Sequence, residues 1–159
     1  MLVTDDVAGL LSPAVFEAFD KPYGDRLLER YGGGLRHVCG PHPSAALYMT
    51  ASPATYGLNC AFRFSRDALG TLRKELGPKA EEALGRRGHL EVMFERDMSL
   101  ESVVAGFRLL ADELAPDVVA IPYCQVPAGG SLSDEALARF ARDMRLVGEE
   151  YAHKMRWRS

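Results

Sequence analysis

The chain has 159 residues, of which 47% are hydrophobic and 26% charged, and its formal net charge is -3. These values predict one globular domain over residues 1–159 and exclude a disordered chain or a strongly basic nucleic-acid-binding protein. The longest apolar stretches fall short of the roughly 18 residues that span a bilayer, and residues 1–9 lack the basic start of a signal peptide. We therefore expect a cytoplasmic protein with no nucleic-acid or membrane partner.

Short apolar runs alternate with longer amphipathic segments along the chain. The five runs of strand length, several of them rich in β-branched or aromatic residues, are MLVT, LRHVC, YGLNCAF, HLEVMF and DVVAIPYC. Serines precede the amphipathic segments at helix N-cap positions, namely Ser12, Ser65, Ser99 and Ser133. Pro22 is expected to kink or break the first helix. The pattern predicts an α/β fold of four to five parallel βα units.

Polar residues lie where the predicted strands end, which is the edge at which parallel α/β folds place their chemistry. Asp5 and Asp6 follow the first strand. Their side chains point to opposite faces, so at most one, Asp6, is expected to line a pocket, while the other caps a turn or faces solvent. Asn59, Cys60 and Tyr123 are candidates to line the same pocket, although burial explains these residues equally well.

His37 and Cys39 lie two residues apart near the end of the second predicted strand, so their side chains share a face. Imidazole and thiolate are preferred zinc ligands, and a catalytic zinc site needs three protein ligands and an open position. Cys124, near the end of the last predicted strand, is a candidate third ligand. Alternatively, Cys39, Cys60 and Cys124 are small buried hydrophobic residues and His37 is a hydrogen-bonded core residue. Three widely spaced cysteines favour free thiols in a reducing compartment.

A longer pattern joins these motifs. The stretch DDVAGLLSPAVFEAFDKPYGDRLLERYGGGLRHVCG resembles the middle of the uroporphyrinogen decarboxylase superfamily, with an acidic strand end, LSP, a Phe-rich helix, PY and a strand ending in H-x-C-G. The later stretches DALGTLRKELG, MSLESVVAGFRLLADEL and VVAIPYCQVPAGGSLSDEALARF are similar to the remaining units. The resemblance implies a partial TIM-type (β/α)8 barrel, of which this chain is the C-terminal half.

Within that superfamily, the better match is the branch of zinc-dependent methyltransferases, which move a methyl group between a corrinoid and a thiol. Its metal motif is H-x-C followed by a distant Cys at the last strand, and His37, Cys39 and Cys124 fall on those positions. The resemblance therefore implies zinc as cofactor, a corrinoid as methyl donor and a small-molecule thiol as substrate. Asp6 would orient the substrate or a ligand.

Two alternatives stay open. One is a carboxy-lyase of porphyrin biosynthesis that acts on a tetrapyrrole, although that branch carries a His where this chain has Cys124. The other is a non-catalytic fragment or one subunit of a split barrel. Half of a barrel leaves open sheet edges and an exposed apolar interior, so we expect self-association or a complementary N-terminal half-barrel chain, besides a corrinoid protein as a further partner.

Overall fold

The structure is a computed structural model that describes residues 1–39, 54–77, 88–125 and 132–155. Its strands are β1 (Leu2–Thr4), β2 (Gly34–Val38), β3 (Thr55–Ala61), β4 (Gly88–Phe94) and β5 (Val118–Cys124). Its helices are α1 (Pro13–Val15), α2 (Lys21–Arg30), α3 (Phe62–Ser65), α4 (Leu69–Leu76), α5 (Leu100–Leu114) and α6 (Asp134–Lys154). Two 3-10 segments (Asp6–Leu10 and Arg66–Ala68) and a π-helical segment (Phe16–Asp20) lie between them. All five apolar runs form strands, as predicted.

The strands form one sheet in the order β1-β2-β3-β4-β5, and every neighbouring pair is parallel. Parallel neighbours need a crossover connection, and such connections are right-handed in nearly all proteins. A constant hand in a sequential order carries successive helices to the same side of the sheet. The prediction of an α/β fold built from parallel βα units is therefore confirmed.

The helices pack on one face of the sheet, which we call the covered face. Leu58, Leu90 and Ala120 lie side by side on β3, β4 and β5 and belong to one buried apolar cluster with residues of α4, α5 and α6. The Tyr151 hydroxyl of α6 reaches the sheet as well, donating to the carbonyl of Val118 and accepting from the amide of Ala120. Burial of each leucine is worth about 1.5–3 kcal/mol, so this cluster holds the helices to the sheet.

Arg36 is a charged residue within the covered face. It aligns with Leu58 in the sheet and is only 1% exposed. Its Nη2 donates to Asp25 Oδ1 at 2.5 Å, and its Nε donates to Thr55 Oγ1 at 3.4 Å. A glycine on α2 gives the guanidinium its space, because a Cβ on Gly24 would lie 2.6 Å from Arg36 Nη1. The pairing with Asp25 offsets part of the cost of burying this charge.

Two further carboxylates lie near the same guanidinium. Asp5 and Asp20 approach Arg36 Nη1 at 3.9 Å and 4.0 Å, but neither distance makes a hydrogen bond, and Nη1 has no hydrogen-bond partner among the described residues. Burial, followed by the hydrogen bond and charge of Asp5, raises the pKa of Asp20 to about 6, although Arg36 acts in the opposite direction. The ionised form of Asp20 is therefore disfavoured at this position.

The opposite surface of the sheet is the open face. The residues of β4 alternate between buried and half-buried, and Glu91 is one of the half-buried set. A row of open-face residues crosses the sheet in register, consisting of Thr4, His37, Asn59, Glu91 and Ile121. Four of its five members are polar, and Asn59 among them is buried.

The helix starts agree with the sequence in three of four cases. The predicted serine caps accept hydrogen bonds from backbone amides of the first turn at Ser12, Ser99 and Ser133. The prediction for Ser65 is wrong, because α3 begins directly after β3 and Ser65 is its last residue, donating to the carbonyl of Phe62. Pro22 lies in the first turn of α2, directly behind the π-helical segment, so the helix changes type before the proline, while the expected kink or break stays a prediction.

An exposed apolar stripe runs along the N-terminal helical region. Its four residues recur at a spacing of four, which places them along one side of the helix, and they are Phe19, Tyr23, Leu27 and Tyr31. Exposed fractions of 72% for Phe19 and 66% for Tyr23 are large for aromatic side chains.

None of the helices in the described part of the chain is long and apolar enough to cross a membrane.

Candidate metal centre

Three donor atoms of different chemistry meet where β1 and β2 end. A carboxylate oxygen of Asp6, a ring nitrogen of His37 and the sulfur of Cys39 all lie within 4.8 Å of one another. His37 Nε2 is 2.9 Å from Cys39 Sγ and 3.5 Å from Asp6 Oδ1. The same Asp6 oxygen accepts a hydrogen bond from the backbone amide of Cys39 at 3.1 Å. We call these three residues, as candidate ligands of a metal ion, the metal-ligand group.

The two neighbouring aspartates separate as strand alternation predicts. Asp5 accepts a hydrogen bond from the amide of Ala8 at 3.1 Å, which caps the 3-10 segment, and it lies on the Arg36 side of the sheet. Asp6 lies on the other side, beside His37 and Cys39. Opposite placement of adjacent side chains thus leaves one aspartate for local structure and one for the metal-ligand group.

The charge state of Cys39 depends on what occupies this group. Partial burial, and then the charge and hydrogen bond of Asp6, raises the pKa of the Cys39 thiol. A free thiol therefore persists at neutral pH as long as no cation offsets the carboxylate. A divalent cation would favour the thiolate and offset the charge of Asp6, so the donor set suits a metal ion.

His37 is held from its other side by the open-face row. Its Nδ1 lies 2.5 Å from Asn59 Oδ1, and Asn59 Nδ2 donates to Glu91 Oε2 at 2.7 Å. The Tyr123 hydroxyl donates to the same Asn59 oxygen at 3.3 Å, and burial raises the pKa of Tyr123, which keeps that proton in place. Metal-binding histidines are commonly oriented by such a partner on the second ring nitrogen.

Asn59 and Tyr123 therefore meet near the metal-ligand group, while the pocket that they were expected to share stays a prediction. Asn59 is 6% exposed and Tyr123 is 38% exposed, so only Tyr123 presents a large surface to solvent. Asn59 serves as a link between His37 and Glu91. A contact of either residue with a substrate stays a prediction.

Cys124 does not join the metal-ligand group. In the sheet order, β5 is three strands away from β2, which corresponds to about 14 Å at the usual strand spacing of about 4.8 Å. Cys124 aligns with Phe94 and packs against the apolar cluster of the covered face, whereas His37 belongs to the open-face row. The geometry therefore gives the third donor position to Asp6 instead of the predicted Cys124.

Two further residues complete the comparison with the sequence. Cys60 is buried in the core, and burial raises its pKa to about 12, which agrees with the alternative of a cysteine that acts as a small hydrophobic residue. Glu91 was not among the predicted site residues. The sequence contains a pattern that could have indicated Glu91, because His89 and Glu91 occupy alternate positions of the otherwise apolar run HLEVMF and therefore share one face of the strand.

Comparison with known proteins finds no matching family model, no matching curated protein and no matching solved structure. The resemblance to the uroporphyrinogen decarboxylase superfamily therefore stays a prediction. The function has to be argued from the donor set and its surroundings.

Proposed function

We propose that Asp6, His37 and Cys39 bind a zinc ion and that the protein uses this ion to activate a small-molecule thiol for methyl transfer. The observation that carries the proposal is the convergence of oxygen, nitrogen and sulfur donors within 4.8 Å at the C-terminal ends of parallel strands. Zinc accepts all three donor types, and three protein ligands leave one position for a substrate.

The spacing of the donors suits this ion. Zinc holds its ligands at about 2.0–2.3 Å, which places the ligand atoms of a tetrahedral site about 3.5 Å apart. The distances from His37 Nε2, 2.9 Å to the Cys39 sulfur and 3.5 Å to the Asp6 oxygen, need only small side-chain adjustments. Asp6 and Cys39 are exposed, so a substrate can reach the fourth position from solvent.

Other residues of the chain orient the ligands and contact the substrate in this proposal. A bound zinc ion supplies a Lewis acid that lowers the pKa of a substrate thiol. Asn59 holds the His37 ring, while Tyr123 offers a hydroxyl at the solvent side of the same cluster. Ile121, 43% exposed on the open face, provides an apolar contact for a substrate. The corrinoid methyl donor and a corrinoid protein as partner rest on the sequence resemblance alone.

The proposal includes half of a (β/α)8 barrel as the scaffold. The sequential parallel strand order and the packing of helices on a single face support it, since both are properties of such barrels. In that arrangement the open face becomes the barrel interior, and the metal-ligand group lies at the C-terminal end of the strands, where barrel enzymes place their active sites.

The carboxy-lyase alternative has less support. A tetrapyrrole with several carboxylates calls for cationic side chains, because buried or half-buried anions need partners. The strand residues on the open face, within the described part of the chain, include no Arg or Lys, and Glu91 adds a carboxylate to this face. Arg36 lies on the covered face, so it is directed away from such a substrate.

A second candidate is a thiol nucleophile. Cys39, His37 and Asn59 are connected in the order nucleophile, base and orienting amide, which is the arrangement of Cys-His-Asn enzymes. It ranks second because burial, followed by the charge and hydrogen bond of Asp6, raises the pKa of the thiol, and because Asp6 places a carboxylate beside any oxyanion that would form there.

A metal-binding experiment tests the proposal. The protein is stripped with a chelator and titrated with zinc, and cobalt is used as a probe because thiolate coordination gives a charge-transfer absorption. We expect about one equivalent of metal, with an affinity at least about 10-fold lower in Cys39→Ser and in Asp6→Asn. Cys124→Ser is the matched control and should bind as the unaltered protein does. Methylation of a thiol by a methylated corrinoid should then require zinc.

The result that would overturn the proposal is equal metal affinity in the unaltered protein and in Cys39→Ser. If zinc fails to bind and Cys39 is instead alkylated by iodoacetamide at a rate that falls sharply in His37→Gln, the thiol nucleophile becomes the leading function.

A further inference from the structure

We infer that Glu91, acting through Asn59, fixes the tautomer of His37 and thereby directs the lone pair of Nε2 toward Cys39 and Asp6. Glu91 is a positioning residue, because it acts on His37 only through Asn59. Its consequence for metal binding rests on the proposed zinc site, whereas the tautomer itself is a property of the metal-free protein.

The direction of the hydrogen bonds is set at Glu91. An ionised carboxylate accepts hydrogen bonds and has no proton to donate. Asn59 must therefore turn its NH2 group toward Glu91, and the 2.7 Å contact from Nδ2 to Oε2 is that bond. Its carbonyl oxygen, Oδ1, then faces His37 and Tyr123.

The carbonyl oxygen in turn selects the proton on His37. Asn59 Oδ1 can only accept, so the ring nitrogen 2.5 Å away, Nδ1, must carry a hydrogen. The other neutral tautomer would bring two lone pairs together at that distance. The Tyr123 hydroxyl donates to the same oxygen and adds a second reason for the amide to keep this orientation.

The backbone gives these three side chains little freedom to rearrange. His37, Asn59 and Glu91 are cross-strand partners on β2, β3 and β4, so the sheet register holds them in one row. Asn59 is 6% exposed and lies on the central strand, where water cannot replace either partner easily. Without the carboxylate, the amide of Asn59 would lose the strongest constraint on its orientation.

The consequence appears on the opposite edge of the imidazole ring. With the hydrogen on Nδ1, Nε2 has a free lone pair, and this atom faces Cys39 Sγ at 2.9 Å and Asp6 Oδ1 at 3.5 Å. A metal requires that lone pair, and so does a thiol that donates its proton to the ring. The other tautomer would direct an N–H at the metal position and block it.

The experiment measures the tautomer in the full-length, metal-free chain. Long-range proton–nitrogen correlation spectra of the ¹⁵N-labelled protein are recorded at about pH 8.5, well above the ordinary imidazole pKa of about 6.5. His37 is identified among the four histidines by the signals lost in His37→Gln. We expect a pure Nδ1–H pattern in the unaltered protein and a mixture of both tautomers in Glu91→Gln. Glu113→Gln, at an exposed position of α5, is the matched control and should leave the pattern unchanged.

A double variant separates the role in hydrogen bonding from a merely structural one. Asn59→Asp combined with Glu91→Gln exchanges the carboxylate and the amide, so that position 59 again accepts from Nδ1–H while position 91 donates. We expect this double variant to recover the Nδ1–H pattern. Zinc affinity should fall about 10- to 100-fold in Glu91→Gln, the usual loss when an outer partner is removed, and should largely return in the double variant.

The outcomes distinguish this inference from the proposed function. If Glu91→Gln shows the same tautomer pattern as the unaltered protein, the inference is overturned whatever zinc does. If the tautomer responds as expected but zinc binds to none of the variants, the inference stands and the zinc site falls. If Glu91→Gln does not fold, the double variant decides, because recovery of the Nδ1–H pattern supports the inference and its absence contradicts it.

Discussion

The two faces of the sheet use the same strands for opposite purposes. On β4, Leu90 and Val92 are fully buried against the helices, while Glu91 between them is half-buried and belongs to the open-face row. Successive residues of a strand point to opposite faces of the sheet, so β4 contributes Leu90 and Val92 to the hydrophobic core and Glu91 to the open face. On the open face, polar side chains form hydrogen bonds with side chains of the neighbouring strand, as Asn59 does with Glu91. On the covered face, the charge of Arg36 is instead paired with a carboxylate from a helix, Asp25.

The sharpest test of this comparison removes the buried cation from the covered face. Arg36→Met should lower the free energy of unfolding by about 3–5 kcal/mol, because it leaves the partly buried carboxylates of Asp5, Asp20 and Asp25 without the cation between them, and Lys21 pairs only with Asp25. Denaturant unfolding followed by circular dichroism measures the change. Arg142→Met, at an exposed position of α6, is the control and should stay within about 0.5 kcal/mol. A loss below about 1 kcal/mol for Arg36→Met would show that this charge is not paired as described.

A pair of truncations compares the two faces directly. Leu90→Ala should cost about 3 kcal/mol, because it opens a cavity under the helices at a fully buried position. Ile121→Ala, in the open-face row and 43% exposed, should cost less than about 1 kcal/mol. Chemical denaturation of both variants gives the values. Equal losses would mean that the open face is covered in solution, as expected for a self-associated protein or one bound to a complementary half-barrel chain.

The smallest expected effect comes from Asp20. Its pKa is raised in the folded state, so the native protein holds this proton more tightly than the unfolded chain, and ionisation costs stability as the pH rises from about 4 to about 6. Asp20→Asn should therefore stabilise the protein at pH 7 by less than about 1 kcal/mol, because solvent screens this partly exposed carboxyl.

Thermal unfolding at several pH values checks this prediction. The melting temperature of Asp20→Asn should exceed that of the unaltered protein by about 2 °C at pH 7, and the difference should vanish below about pH 4. A variant that is less stable at pH 7 would indicate that the attraction between Asp20 and Arg36 outweighs its burial and the repulsion from Asp5.

The sequence was sufficient for those parts of the structure that depend on local patterns. Short apolar runs located the five strands, and the alternation of side chains along a strand placed His37 and Cys39 on one face and separated Asp5 from Asp6. Ser65 shows a limit, since nothing in the local pattern indicates that α3 starts directly at the end of β3.

The composition of the metal-ligand group was harder to predict, because it depends on distances across the sheet. The thiol of Cys124 is a suitable zinc ligand. The face of the sheet on which it lies and its distance from β2 depend on strand order and register, which a single sequence does not reveal. Glu91 is the opposite case, since the alternation of HLEVMF already placed it beside His89 on one face.

The sequential strand order also bears on how the chain acquires its structure during synthesis. In the described sheet, each strand pairs only with strands that are adjacent in sequence, so no early segment has to wait for a distant one. β2 can pair with β1 as soon as residues 1–38 have left the ribosome, and later βα units can be added one after another at translation speeds of about 5–20 residues per second. Each parallel pairing still spans a whole βα unit, so the loop-closure entropy slows folding relative to a sheet of hairpins, and the residues of the metal-ligand group, 6–39, are synthesised before the remaining three strands.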